Sequence, residues 1–214
     1  DYFSTLKTCV WHFDEPVADP SAISMYLMAR EVAKEHKVVL SGEGADELFG
    51  GYGIYAETYN PWIQVISLQP EWFKKYFFRP IDVVLQTLAK HRLSAWLFNG
   101  LPGVSFLHRA LTSTRKRYIG NAKIFDDNEI KKVLKFYNKV DNHENLLANI
   151  YRDAKNNNYD YVTTMQHIDI NTWLEGDILQ KADKISMAQS IELRVPFLDK
   201  EVLEVAKNLN LNQK

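Results

Sequence analysis

The sequence predicts an α/β fold that is predominantly helical, and three observations carry that prediction. A β-branched run, Val38-Val39-Leu40, passes directly into Ser41-Gly42-Glu43-Gly44 and then into Ala45-Asp46-Glu47-Leu48-Phe49, which reads as a strand, a tight loop and a helix start. A helical stretch feeds that strand, the αβα rhythm of a parallel sheet. After Gly53 the pattern is helical, and no second strand is expected.

Taken in order, Phe3, Leu6, Val10 and Phe13 recur at three- and four-residue spacing and predict a helix over residues 3–13, which Asp14-Glu15-Pro16 stops. Asp19-Pro20 reads as an N-cap with proline at the first helical position, opening a helix with Ile23, Tyr26, Leu27 and Ala33 that ends near His36. Beyond the loop, Pro61, Pro70, Pro80 and Pro102 punctuate the helices, and Ile81 to Asn99 is amphipathic. Arg115-Lys116-Arg117 reads as a solvated basic face, and Phe125-Asp126-Asp127-Asn128 as the cap of another helix. Residues 159–189 form the longest helical region, softly broken at Gly176, with Lys181 and Lys184 on adjacent turns of one face. The final helix is capped by Asp199 and turns Val202, Val205, Ala206 and Leu209 inward.

Composition bounds the function. With 214 residues, 46% hydrophobic and 25% charged, the chain is ordinary for one large or two small soluble domains. A net charge of -1 supplies no global field for nucleic acid or an anionic membrane, so neither is expected as a partner and any anion site must be local. The single cysteine, Cys9, excludes an internal disulfide, fits a reducing cytoplasm and reads as a buried small apolar residue. No stretch approaches the roughly 20 apolar residues that span a bilayer, and Asp1-Tyr2-Phe3-Ser4 is unlike a signal peptide, so a cytoplasmic location is expected. The chain lacks an initiating Met and runs at once into a helix, which suggests a segment of a longer polypeptide.

The loop concentrates the chemistry. Ligands of open α/β sheets sit beyond the carboxyl ends of strands, where glycines let the backbone approach and helix amides face an anion. Three carboxylates, Glu43, Asp46 and Glu47, would repel a bare phosphate, so the pattern suggests a magnesium-bound one; an ordinary strand-to-helix turn with solvated acids is the alternative. The six histidines are scattered, which disfavours zinc. G-x-S-x-G, G-x-x-x-x-G-K-[ST] and G-x-G-x-x-G patterns are all missing.

Two segments carry a family resemblance: residues 39–52, VLSGEGADELFGGY, and the later Asp183-Lys184, Ser186-Met187-Ala188, Ser190, Glu192 and Arg194 to Asp199. Together they resemble the synthetase domain of the glutamine-dependent asparagine synthetases, and the Asp14-Glu15-Pro16 turn is similar too. The resemblance implies part of an adenine nucleotide alpha hydrolase-like (PP-loop) domain with a Rossmann-like parallel sheet. Residues 1–58 would be the α/β part with the ATP-site loop, and residues 59–214 the helical part. It implies activation of aspartate by ATP with Mg2+ to a β-aspartyl adenylate, which ammonia from glutamine then attacks. Ser41, Gly42 and Gly44 would contact the nucleotide and Asp46 would ligand magnesium. Lys184 would hold the expelled pyrophosphate, and Glu43 would assist the acyl adenylate or take a proton from ammonia. Glu192, Arg194 and Asp199 read as a structural network around a proline turn.

The family's Ser-Gly-Gly-x-Asp-Ser loop occurs nowhere in these 214 residues. The glutaminase domain, a partner the resemblance implies, would begin with a nucleophilic cysteine, whereas Cys9 lies within an expected helix. This polypeptide alone is therefore expected to be inactive. Oligomeric state is open, a homodimer included. Two other readings stay open: a related amidotransferase or β-lactam synthetase-type ligase acting on another carboxylate, and a non-catalytic helical interaction module.

Overall fold

The computed structural model describes residues 2–17, 19–56, 61–90, 107, 110, 111, 118, 127–136 and 143–210. The chain divides into two compact units, residues 1–52 with 120–214, and residues 53–119. This division differs from the boundary at residue 58 that goes with the resemblance, because the C-terminal helices return to pack on the N-terminal ones. In chain order the first elements are α1 (Tyr2–Phe13), α2 (Ser21–Val32), β1 (Val38–Leu40), α3 (Ala45–Phe49), α4 (Gly53–Ala56), α5 (Pro61–Ser67), α6 (Glu71–Phe73) and α7 (Arg79–Lys90). They are followed by α8 (Asp127–Val133), α9 (His143–Asn156), α10 (Tyr161–Asp169), α11 (Gln180–Met187), β2 (Glu192–Arg194) and α12 (Lys200–Asn208). Helix α7 ends at Lys90, and the rest of the expected helix to Asn99, the Arg115-Lys116-Arg117 run and Phe125-Asp126 lie outside the described residues.

The first unit is organised around α1, α2 and α11, whose buried Cys9, Phe13, Ala22, Ile23 and Ile185 form one core cluster. The α1 helix forms as its periodicity predicts, but its buried face is Thr5, Cys9 and Phe13. Phe3, Leu6 and Val10 are exposed. Small Ala22 lets α1 approach on the Cys9 side, where the thiol sits 4.0 Å from the Ala22 carbonyl, and close packing of that kind outweighs the bulkier stripe.

A second strand exists, contrary to the sequence expectation. β2 pairs in parallel with β1, matching Val38 to Glu192, Val39 to Leu193 and Leu40 to Arg194. Three residues with a charge at each end show no readable alternation, and a parallel partner is distant in sequence by construction. Backbone hydrogen bonds extend the pairing at both ends, from Glu192 N to Lys37 O and from Ser41 N to Arg194 O, each 2.8 Å. The Glu192–Arg194 ion pair, 2.8 Å, is solvent-exposed and adds little stability.

Neither of two expected breaks interrupts its helix. Gly176 lies in a wide π-type segment, Ile170–Leu179, that joins α10 to α11 without interruption. In the second unit, a π-type segment, Lys74–Phe78, precedes Pro80 in α7, the kind of widened turn that accommodates a residue lacking N–H. Asp199 caps α12 by accepting from Glu201 N at 2.8 Å, as expected. Only Ala206 of the expected inner stripe is buried, while Val205 is exposed. The sheet is small and the fold mostly helical.

Candidate functional site

The two segments singled out in the sequence pack against each other. Gly44 adopts φ 88°, and a Cβ there would come within 2.3 Å of the Leu198 side chain. Phe49 meets Phe197 edge-on at 6.1 Å between ring centres. The left-handed turn that lets the chain leave β1 and start α3 is thus sealed by Pro196–Leu198 of the distant segment. Ser41 Oγ accepts weakly from Glu43 N at 3.4 Å, while Gly42 faces open space where a Cβ would touch nothing.

The loop carboxylates divide by environment. Glu47 is buried at 1% exposure. The Tyr52 hydroxyl donates to it at 2.6 Å, and Trp173 Nε1 donates to that hydroxyl at 3.3 Å. Gln166 Nε2 donates to the carbonyls of Glu47 and Leu48, 2.7 and 3.0 Å, which anchors the short α3 to α10. Burial and the Glu47 contact hold the Tyr52 phenol far above its ordinary range. Asp46 is exposed, and a Cβ on Gly51 would strike its Oδ1 at 2.0 Å, so glycine there makes room for the carboxylate.

Glu43 faces a cavity of about 510 Å³ between α2, the two strands and α11. One wall is apolar, with Met25, Met28, Val39 and Leu193, and the polar end carries Ser21, Ser41, Glu43 and Lys181. Burial pushes the Glu43 carboxyl up; the Lys181 charge pulls it back, while Glu47, Asp19 and Asp46 push it further up. Lys184 is half-buried and not among the cavity-lining residues, and Asp46 is not either. The structure therefore brings Ser41 and Glu43 together with Lys181.

Lys181 and Asp19 are what sequence reasoning missed. The Lys181 side chain is only 7% exposed and its Nζ donates to Asp19 Oδ2 at 2.6 Å and Ser21 Oγ at 3.0 Å. Asp19 also accepts from Ser21 N at 2.8 Å, so it caps α2 as expected while pairing with Lys181. Burial raises the Asp19 carboxyl, but the Lys181 and Ser21 hydrogen bonds outweigh it and leave it below its ordinary range. A signal was available: Leu174, Ile178, Lys181, Ala182 and Ile185 make one buried helical stripe, so a lysine occupies a core position.

Among the described residues no group of three His, Cys, Asp or Glu could hold a metal ion, and no helix is long and apolar enough to cross a membrane. A glycine-bearing loop at the carboxyl end of a parallel strand, with Glu43 and Lys181 at one cavity, is the place where open α/β sheets take their ligands. The asparagine synthase family matches residues 1–214, and the chain belongs to that family. It is 44% identical over 209 residues to asparagine synthetase [glutamine-hydrolyzing] 1 of Bacillus subtilis, covering 98% of this chain and 30% of that protein. A putative asparagine synthetase [glutamine-hydrolyzing] of Mycobacterium bovis is 44% identical over 211 residues, 98% of this chain and 29% of the relative. Asparagine synthetase [glutamine-hydrolyzing] 3 of B. subtilis is 25% identical over 187 residues, covering 87% and 22%. The chain thus spans about 30% of the length of the relatives it matches over nearly its whole extent. No solved structure gives a significant match.

Proposed function

We propose that, within a polypeptide of its relatives' length, this chain forms one wall of a site that converts aspartate to asparagine with ATP, through a β-aspartyl adenylate. Ammonia would come from glutamine at a separate glutaminase domain. The observation that carries this reading is the shared cavity of Ser41, Glu43 and Lys181 at the carboxyl end of β1, on a stretch that reads like the family's own.

Adenylation drives a carboxylate onto a polyphosphate, so charge must be neutralised on both partners. Ser41 and Gly42 would meet the nucleotide through hydroxyl and backbone, on a loop whose course Gly44 sets. Asp46, an exposed carboxylate of the kind magnesium takes one or two of, would hold that ion, which would offset phosphate charge. Lys184 would meet the departing pyrophosphate. Glu43 would take the proton that ammonia loses as its nitrogen bonds to the acyl carbon and the acyl C–O bond to the adenylate breaks, releasing AMP. A PP-loop domain, a cytoplasmic location and assembly as a homodimer complete the reading.

The test is pyrophosphate release by a polypeptide of the relatives' length, with aspartate and a panel of other carboxylates, supplied with glutamine or ammonia. Asparagine formation with stoichiometric pyrophosphate is expected. No turnover of aspartate, with adenylation of another carboxylate in the panel, would overturn the reading in favour of a related ligase.

A further inference from the structure

An ammonium group carries three protons. At Lys181 two of them go to Asp19 and Ser21, and among the described residues the third has no acceptor although the side chain lines the cavity that Glu43 faces. One helical turn before Lys181, Asp177 Oδ2 is buried without a hydrogen-bond partner among the described residues. Asp177 also feels the charges of Asp19 and Lys181. One cation therefore serves three carboxylates, Asp19, Asp177 and Glu43. A buried lysine with this company is a poor device for stability alone, because desolvating the ions offsets their attraction. Its value lies in where it fixes a positive charge.

We propose that Lys181, clamped by Asp19 and Ser21, is a positioning residue that acts through Glu43: the positive charge it fixes at the cavity they share keeps that carboxylate in the form able to accept a proton. The inference rests on the reading of Glu43 as the group that takes the proton from ammonia. The charges facing Glu43 are Asp46 and Glu47 from its own loop and helix, Asp19 from the turn before α2 and Lys181 from α11, and Asp177 feels the charges of Asp19 and Lys181 in turn. Lys181 is the one cation among them, so its removal leaves Glu43 among acids.

The experiment follows asparagine formation from aspartate, ATP and added ammonia by a polypeptide of the relatives' length, as a function of pH. In Lys181→Met the acidic limb of the kcat profile is expected to move to higher pH, and kcat to fall about tenfold at neutral pH. KM for ATP and aspartate is expected to change less than about threefold, and Lys181→Arg to recover most of the loss. Asp19→Asn removes one of the opposing charges, so its limb is expected to move the other way, to lower pH; this variant keeps the test open where Lys181→Met does not fold. Folded Lys181→Met with an unmoved limb, or Asp19→Asn with no shift, overturns the proposal. A fully active Glu43→Gln overturns instead the reading of Glu43 on which the proposal rests, which separates the two failures.

Discussion

Glu43 and Glu47 stand four residues apart around one turn, and the molecule treats them in opposite ways. Glu47 is sealed inside, its carboxylate met by the Tyr52 hydroxyl and its backbone held by Gln166. Glu43 is half-buried at the edge of a cavity, with three acids pushing its carboxyl up and Lys181 pulling it down. One acid is satisfied by the fold, and the other keeps its proton affinity available. Position relative to Gly44 decides which is which: the left-handed turn directs Glu43 toward β1 and α2, and α3 then carries Glu47 back onto α10.

The largest expected effect breaks the buried side. Glu47→Ala removes the Tyr52–Glu47 hydrogen bond and opens a void, and is expected to cost about 3 kcal/mol in urea unfolding of the 214-residue chain. A loss under about 0.5 kcal/mol would mean the carboxylate is not the anchor described. Next, Gly44→Val forces a β-branched residue into the left-handed region and against Leu198. It is expected to cost about 2 kcal/mol, most of which Gly44→Val with Leu198→Ala does not recover, since the backbone strain remains.

Smallest is Glu43→Gln, expected to shift stability by less than about 0.5 kcal/mol, with a sign that depends on pH. Because the folded carboxyl is raised, its contribution to stability is present below the ordinary glutamate range and is lost as pH rises through the folded value. The variant escapes that loss, so it matches the wild type in acid and gains on it toward neutral pH. Asp19 behaves oppositely: its lowered carboxyl contributes above its unfolded range, and that contribution disappears as pH falls through the folded value. Urea midpoints measured between pH 3 and 7 would separate the two.

The loop was legible because strand, glycines and helix start agree locally at Val38 to Phe49. Helices α1, α2 and α12 followed from spacing and from the Asp19 and Asp199 caps. What escaped depends on partners distant in sequence. β2 is three residues long and has meaning only beside β1. The inner face of α1 is chosen by Ala22, whose smallness matters only after α2 docks. Pro80 and Gly176 disrupt no helix because wide turns flank or contain them. Lys181 was visible as a lysine at a core register, but its partner Asp19 lies 162 residues earlier, beyond the reach of helical spacing. It is Lys181, and not Lys184, that lines the cavity with Ser41 and Glu43.

The central claim is that Glu43 works chemically while Glu47 works structurally, and one measurement addresses it directly. The rate of asparagine formation from ammonia by Glu43→Gln, in a polypeptide of the relatives' length, is compared with the wild type at neutral pH alongside both unfolding midpoints. The account predicts a fall of about a hundredfold or more with a midpoint no lower than the wild type's. Wild-type turnover in a folded Glu43→Gln would contradict it.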